Sequence, residues 1–243
     1  IAGGIEHMTH LPEGTGAVLN PKRLEFVDPS SSSMGLTAEK LAEMYNISRE
    51  EQEEYALRSH QKAIAAQKQG KFKDEIVPVE VHLKDDIKKV DKDQNPRSYT
   101  SLDIMAALEP ITRPEGTVTV ATTSIASDGA AAILLMSQEK ARDFKLKPKV
   151  KLRSMAVAGV DPKLMGLGVV AASKKALERA GLTGADIDVA EINEAFSVVA
   201  MVAIRELGID EDKVNPNGGA VALGHPMGCS GARLITTLTH EMV

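Results

Sequence analysis

The feature that most constrains the fold is an alternation of strand-like and helix-like segments after Pro148. The predicted order is strand 150–157, helix 169–180, strand 189–192, helix 196–207, a glycine-rich loop and helix 230–242. Alternation of this kind is typical of a sheet covered by helices. We therefore predict an α/β layered architecture for this part of the chain.

The first 33 residues contain turn formers and weak periodicity, including the serine run from Ser30 to Ser33, and predict a loop. A short helix should follow, with Thr37 as its N-cap and with Leu41 and Met44 on one face.

A long helix is predicted over residues 49–69. Ser48 and Glu51 have the spacing of a capping box, in which the serine accepts from a backbone N–H three residues on and the glutamate reaches back. Gly70 supplies the stop.

Four further segments complete the predicted secondary structure. Residues 76–81 predict a strand and the charge-rich stretch 85–97 predicts a solvated loop. Residues 117–120 alternate as in a strand. The unbroken apolar run 130–136 predicts a strand covered on both faces.

Composition excludes several classes of function. Hydrophobic residues make up 43% and charged residues 26%, with a net charge of -5 and basic residues scattered among acids, so we expect no nucleic-acid partner. No apolar run approaches the roughly 20 residues that span a bilayer, so we expect no membrane insertion. A single cysteine, Cys229, permits no intrachain disulfide and no cysteine-based metal site.

The segment 215–233 holds five glycines in a short span that leads into a predicted helix, a density that permits close approach of backbone to a ligand. His225 lies between Gly224 and Pro226, which holds a titratable ring on a restricted backbone. A lone histidine in a loop is more often structural than catalytic. Cys229 is expected to be a partly buried structural thiol at a helix start, where the helix dipole would lower its pKa.

Two other segments invite a functional interpretation. Residues 191–196 place two acids and an amide at the end of a predicted strand, where α/β sheets bind ligands, although Asn193 is equally suited to cap a helix. Residues 166–171 match the glycine spacing of a dinucleotide fingerprint. Pro162 argues against the strand that must precede it, so nicotinamide binding is disfavoured.

Four segments in order resemble the thiolase family. They are Ala-Gly-Gly-Ile-Glu-His-Met at 2–8, Thr-Ser-Ile-Ala-Ser-Asp-Gly-Ala-Ala-Ala at 123–132, Asn-Glu-Ala-Phe at 193–196 and Asn-Gly-Gly-Ala-Val-Ala-Leu-Gly-His-Pro at 217–226. Segments 34–39 and 153–162 are most similar to the fatty-acid-degrading branch. The resemblance covers essentially the whole chain.

The resemblance implies the thiolase fold, a layered αβαβα arrangement of two similar halves. Residues 1–4 and 121–147 would belong to the N-terminal half, residues 5–120 to a loop domain that covers coenzyme A, and residues 148–243 to a truncated C-terminal half. The chain opens without Met and stops inside a helical pattern, so we expect a fragment.

The implied chemistry is thiolysis of a 3-ketoacyl-CoA by coenzyme A, which is a substrate; no permanently bound cofactor is expected. His225 would activate a nucleophilic cysteine and donate to an oxyanion, and Asn193 would hold a water in that oxyanion site. Ser124, Met165, Ala195 and Phe196 match positions that line the pantetheine channel in the family.

The sequence departs from the family at two places. Neither of the family's two catalytic cysteines is expected within these residues, and Cys229 occupies a position where the family carries a small residue, so the chain alone should be inactive. Residues 168–171 lack the prolines that the family usually has there.

Two alternatives remain open at this stage: a biosynthetic acetoacetyl-CoA thiolase, and a non-catalytic acyl-CoA binding or scaffold module. The family implies acyl-CoA thioesters as ligands and a homodimer or homotetramer, in some members paired with a hydratase/dehydrogenase subunit. It implies a cytoplasmic location in bacteria, and the mitochondrial matrix or the peroxisome in eukaryotes.

Overall fold

The computed structural model describes residues 1–11, 20–27, 33–82 and 86–243. Its strands within these ranges are β1 (Ala2–His7), β2 (Val79–His82), β3 (Ile87–Val90) and β4 (Asp128–Ile133). Its α-helices there are α1 (Met34–Tyr45), α2 (Arg49–Gln69), α3 (Leu102–Ala106), α4 (Gln138–Asp143), α5 (Gly168–Ala180), α6 (Ser197–Leu207), α7 (Ala220–Leu223) and α8 (Met227–Glu241).

The longest helix, α2, confirms its predicted bounds and caps. The Ser48 hydroxyl accepts from the Glu51 backbone N–H at 3.2 Å, and the Ser48 N–H donates to the Glu51 carboxylate at 2.7 Å. Gly70 ends the helix with φ 72°, a left-handed conformation that glycine adopts without steric cost. Helices α5 and α6 also lie within one residue of their predicted bounds.

Two helices begin earlier than predicted. Ser33, not Thr37, caps α1 by accepting from the Leu36 N–H at 3.3 Å. Thr37 lies inside the helix, where its hydroxyl donates to a carbonyl one turn back. Helix α8 begins at Met227 rather than residue 230, because Pro226 serves as its N-cap and its carbonyl accepts from the Ser230 N–H at 2.8 Å.

Two strands form where loops were predicted. In β1, Ala2–His7 pairs antiparallel with β4, Ala2 opposite Ile133, which corrects the loop prediction for residues 1–33. Residues 12–19 and 28–32 of that prediction lie outside the described residues. In β3, Ile87–Val90 pairs with β2, which corrects the loop prediction for 85–97; residue 85 lies outside the described residues.

Other predicted strands are wrong or shorter. Residues 117–120 and 189–192 form only single bridges, Thr119 to Pro110 and Ala190 to Val214, and residues 150–157 form no strand. A strand needs a neighbour to fill its ladder of hydrogen bonds, and no segment in the described part of the chain lies beside 150–157 to do so. Strand β4 stops at Ile133 and is not covered on both faces.

The main core is centred on α6. Its valines and alanines are apolar around most of the helix, and α6 packs against α1, α5 and the 3-10 helix Pro162–Leu167. Leu41, Val198 and Val202 are fully buried there. Burying each such side chain stabilises the fold by about 1.5–3 kcal/mol. The start of α6, and with it the segment 193–196, is therefore held on a rigid base.

Candidate functional site

Three of the family-like segments meet at the start of α6. The Ser197 N–H donates to the Thr122 carbonyl at 2.8 Å, and the Ser124 N–H donates to the Ala195 carbonyl at 3.1 Å. The His225 N–H donates to the Ile125 carbonyl at 2.9 Å. Main-chain bonds thus fix residues 122–125 between the Asn-Glu-Ala-Phe segment and the Gly-His-Pro loop.

The fourth segment, at 2–8, packs against the helix that follows His225. A Cβ on Gly4 would lie 1.9 Å from the Gly228 carbonyl oxygen, so the two backbones are in contact. The Gly228 N–H donates to the Glu6 carboxylate at 3.1 Å. Segments with a sequence separation of 222 residues in this bond therefore converge on one place.

Asn193 and His225 are the pair at the centre of this region. The Asn193 Nδ2 atom lies 3.4 Å from the His225 Nε2 atom, and both residues are half-buried. The Asn193 Oδ1 atom is buried and has no hydrogen-bond partner among the described residues. A buried amide oxygen without a partner is costly unless water or a ligand donates to it.

Ser230 lies within hydrogen-bond distance of the second ring nitrogen of His225. The Ser230 hydroxyl oxygen lies 2.6 Å from His225 Nδ1 and 3.1 Å from the Pro226 carbonyl oxygen, which can only accept. With its proton on the Pro226 carbonyl, the hydroxyl accepts from an Nδ1–H. In that tautomer, Nε2 is the basic nitrogen that faces Asn193.

The loop that carries His225 needs glycine at 224. Gly224 has φ 106°, and a Cβ there would lie 2.1 Å from the Ser127 hydroxyl oxygen. Asn95 bridges the same place by donating to Ser127 Oγ and to the Leu223 carbonyl, each at 3.0 Å. The glycines of this loop thus admit neighbouring protein segments, where sequence reasoning expected a ligand.

The residues predicted to line a channel have different environments. Ser124 and Ala195 are half-buried and joined by the main-chain bond above. Phe196 is 6% exposed and belongs to the main core. Met165, in the 3-10 helix Pro162–Leu167, is 36% exposed. A channel role for these four residues stays a prediction.

The dinucleotide fingerprint at 166–171 does not have the required context. The residues before Gly168 form a 3-10 helix and not a strand. Gly166 packs against Leu41 and Val199, since a Cβ there would lie 2.5 Å from the nearer side chain. The glycine spacing therefore serves packing between helices.

Cys229 differs from its predicted state. It is only 2% exposed, in the first turn of α8, and its sulfur lies beside Gly129. Burial raises the pKa of this thiol despite the nearby Arg233 charge, so the expected lowering by the helix dipole is wrong. A buried thiol with a raised pKa is a poor nucleophile.

A buried acid cluster flanks the site; sequence reasoning noted Glu191 as one of the two acids in 191–196 but missed Glu75. Burial raises the pKa of both Glu191 and Glu75 to about 7, against the lowering effect of Arg233. Arg233 Nη1 lies 3.2 Å from a Glu191 carboxylate oxygen. The Glu191 Oε1 and Glu75 Oε2 atoms have no hydrogen-bond partner within the described residues.

Sequence reasoning also missed Ser230 and the buried environment of Glu194. A hydroxyl five residues after a histidine carries no signal of its own in the sequence. Glu194 was visible as one of the two acids in 191–196, but its buried partners come from elsewhere in the chain.

Comparisons with known proteins identify the family. Residues 1–139 match the family model for the thiolase N-terminal domain, and residues 146–243 match the one for the thiolase C-terminal domain. Curated relatives include 3-ketoacyl-CoA thiolases of Klebsiella pneumoniae and Escherichia coli, each 49% identical over the whole of this chain and 64% of the relative. The chain thus spans slightly less than two thirds of their length.

Solved structures agree with this match. The human mitochondrial 3-ketoacyl-CoA thiolase superposes with a TM-score of 0.88 at 37% identity, covering 99% of this chain and 64% of that one. The dimeric peroxisomal thiolase of Saccharomyces cerevisiae gives 0.91 at 37% identity, covering 99% and 62%. With both halves matched in sequence and the fold matched in space, the chain is a member of the thiolase family.

Proposed function

We propose that the protein containing this chain cleaves 3-ketoacyl-CoA with coenzyme A, giving acetyl-CoA and a shortened acyl-CoA, as an acyltransferase of fatty-acid β-oxidation. The observation that carries the proposal is the Asn193 and His225 pair, 3.4 Å apart. The names of the relatives at 49% identity support the degradative reaction over acetoacetyl-CoA synthesis.

The family resemblance implies the proposed chemistry, and the residue types of Asn193 and His225 suit it. A cysteine thiolate attacks the 3-keto carbon, the bond between C2 and C3 breaks, and the electron pair moves to the thioester, whose enolate then takes a proton. Coenzyme A finally displaces the acyl group from sulfur. His225 Nε2 would take the thiol proton, and the pair with Asn193 would hold a water and stabilise the oxyanion.

The thiol in this scheme would come from outside these 243 residues, because Cys229 is buried beside Gly129. Residues 5–120 would form the loop domain over coenzyme A, between N-terminal-half segments 1–4 and 121–147 and the C-terminal half 148–243. Ser124, Met165, Ala195 and Phe196 would line the pantetheine channel.

Acetyl-CoA formation from 3-ketoacyl-CoA and coenzyme A tests the proposal. The protein from the complete reading frame that contains this sequence should cleave both C4 and C16 substrates, and the 243-residue chain alone should not. Turnover restricted to C4 would favour acetoacetyl-CoA chemistry. If the complete protein binds acyl-CoA without turnover, the enzyme assignment is contradicted and a binding module is favoured.

The proposal extends to assembly and location. A dimeric thiolase is among the structural relatives, and we propose a homodimer or homotetramer, which light scattering of the complete protein would distinguish from a monomer. We also propose a hydratase/dehydrogenase subunit as a partner, which a pull-down with the complete protein tests.

No α-helix in the described ranges is long and apolar enough to cross a membrane. For a bacterial protein we propose the cytoplasm.

A further inference from the structure

Glu194 directly follows Asn193, but its side chain lies in the protein interior. It is 1% exposed. Its carboxylate accepts two hydrogen bonds at each oxygen, at Oε1 from Tyr55 Oη (3.0 Å) and Asn215 Nδ2 (2.8 Å), and at Oε2 from Ser59 Oγ (2.8 Å) and Val221 N (3.0 Å).

These four bonds suit a carboxylate and no other side chain of that shape. A carboxylate is an acceptor at both oxygens, with about four lone-pair sites, and all four are used here. The amide and backbone partners can only donate. The Ser59 oxygen also accepts from the Gly219 N–H at 3.0 Å, so its proton is directed at Glu194. A carboxamide in this place would set an NH₂ group against other donors.

The carboxylate joins separate parts of the chain. Tyr55 and Ser59 belong to α2. Asn215 lies in the loop before α7, and Val221 lies in the first turn of α7. Helix α7 ends at Leu223, two residues before His225. Glu194 therefore ties the segment that carries Asn193 to the short helix that leads to His225.

Gly219 shows how closely this contact is built. A Cβ at this position would lie 2.1 Å from the Glu194 carboxyl carbon. The Gly219 backbone has φ -120°, which any residue can adopt. Glycine is needed here because the carboxylate occupies the space of a side chain.

We propose that Glu194 is a positioning residue for the Asn193 and His225 pair, acting through α7 and without touching substrate. The inference rests on the proposed function. Its physical basis is that displacing a reacting group by about 1 Å can cost roughly 100-fold in rate. Four bonds to a buried carboxylate hold the two backbone segments at a fixed separation.

The test compares Glu194→Gln with Glu39→Gln in the protein from the complete reading frame. Glu39 is also buried, at 2% exposure, and accepts from Thr112, Thr117 and Val118, none of which contacts His225 in the bonds above. Both variants should lose stability. Glu194→Gln should lower kcat about 100-fold with KM changed less than about threefold, and Glu39→Gln should keep the wild-type kcat.

The pH profile of kcat/KM separates positioning from partial unfolding. A smaller folded fraction scales the whole profile, whereas a displaced Asn193 changes the surroundings of His225 and moves the midpoint. We expect the midpoint of the kcat/KM profile to shift by about half a pH unit or more in Glu194→Gln and to stay unchanged in Glu39→Gln. Equal kcat per folded protein and an unmoved midpoint would overturn the positioning role.

If Glu194→Gln does not fold, a second pair of variants that each remove only one hydroxyl group tests the proposal. Tyr55→Phe removes one donor to Glu194 at 3.0 Å, and Tyr45→Phe removes a donor to Glu206 at the same distance. Tyr55→Phe should lower kcat about fivefold and Tyr45→Phe should not. Equal kcat in both variants would refute the proposal. A wild-type protein without thiolase turnover would instead refute the proposed function, and the positioning role with it.

Discussion

Glu39 in α1 and Glu194 before α6 are both buried carboxylates whose acceptor sites are filled, and a glycine stands against each. A Cβ on Gly116 would lie 2.3 Å from Glu39 Oε1, as one on Gly219 would lie 2.1 Å from Glu194 Cδ. The donors differ in origin. Those of Glu39 come from Thr112 and from residues 117–118, within one short stretch, while those of Glu194 come from two separate stretches, 55–59 in α2 and 215–221.

The contrast extends to what each carboxylate holds. At Glu39, burial by itself raises the pKa, but hydrogen bonds from Thr112, Thr117 and Val118 outweigh it and the pKa lies below its usual value. That site fastens one loop to one helix. Glu194 fastens the residue beside Asn193 to the approach to His225. A buried carboxylate with its hydrogen bonds filled therefore supports stability in one region and the geometry of the candidate site in the other.

The largest expected effect is that of His225→Ala in the complete protein. Loss of the base that faces Asn193 and of an oxyanion donor should lower turnover by about 10³-fold or more. Since His225 is half-buried in a loop, the thermal midpoint should change little. A variant with the wild-type kcat would contradict the catalytic role of His225, and Glu194 could then not be distinguished from Glu39 by its effect on the site.

Next in size are Gly116→Ala and Gly219→Ala, which press a methyl group against the two carboxylates. Each should lower the free energy of unfolding by about 1–3 kcal/mol, measured with denaturant. Only Gly219→Ala should also lower kcat per folded protein. An equal loss of kcat in both variants would show that both regions act on the site, and an unchanged kcat in both would contradict the role of Gly219.

A third prediction concerns Glu75, an acid whose second oxygen lacks the partners that Glu39 and Glu194 have. Burial raises its pKa to about 7, so the folded state binds a proton that the unfolded state releases near pH 4.5. Its stabilising contribution is complete below pH 4.5 and is lost as the pH rises through about 7. Glu75→Gln should therefore show a smaller loss of stability between pH 5 and pH 8.

Denaturant unfolding at several pH values checks the Glu75 prediction. The neighbouring Glu191, Asp93, Arg233 and Glu241 remain in the variant. Parallel stability curves for wild type and variant would contradict the role given to this acid.

The smallest expected effect is a gain. Gly231 lies inside α8 and a Cβ there would meet nothing within 4 Å, in contrast to Gly116 and Gly219. Gly231→Ala should raise the free energy of unfolding by about 0.5–1 kcal/mol, because alanine has the higher helix propensity. A loss of stability would mean that space opposite a glycine does not decide these substitutions.

Sequence predicted α2 to the residue because its signals are local. Ser48, Glu51 and Gly70 lie within one turn of the helix ends they determine. The strands were predicted poorly because the partner of a strand is remote: β1 pairs with β4 some 126 residues away, and residues 150–157 have strand-like side chains without a neighbour in the described ranges.

The features of the candidate site show the same contrast between local signals and remote partners. His225 and Asn193 were identified from residue type and family resemblance, since a titratable ring and an amide carry chemistry wherever they lie. The contact of Ser230 with His225 Nδ1, the burial of Cys229 and the four donors to Glu194 were not visible.

By itself the sequence determined the helix ends, the α/β character and the family, because capping patterns and ordered motifs are written in neighbouring residues. The tertiary structure decided which strands form, that the thiol is buried and that one buried acid holds the Asn193 and His225 segments together. Those properties depend on hydrogen bonds and desolvation supplied by residues more than 20 positions away, from Tyr55 in α2 to Val221 in α7.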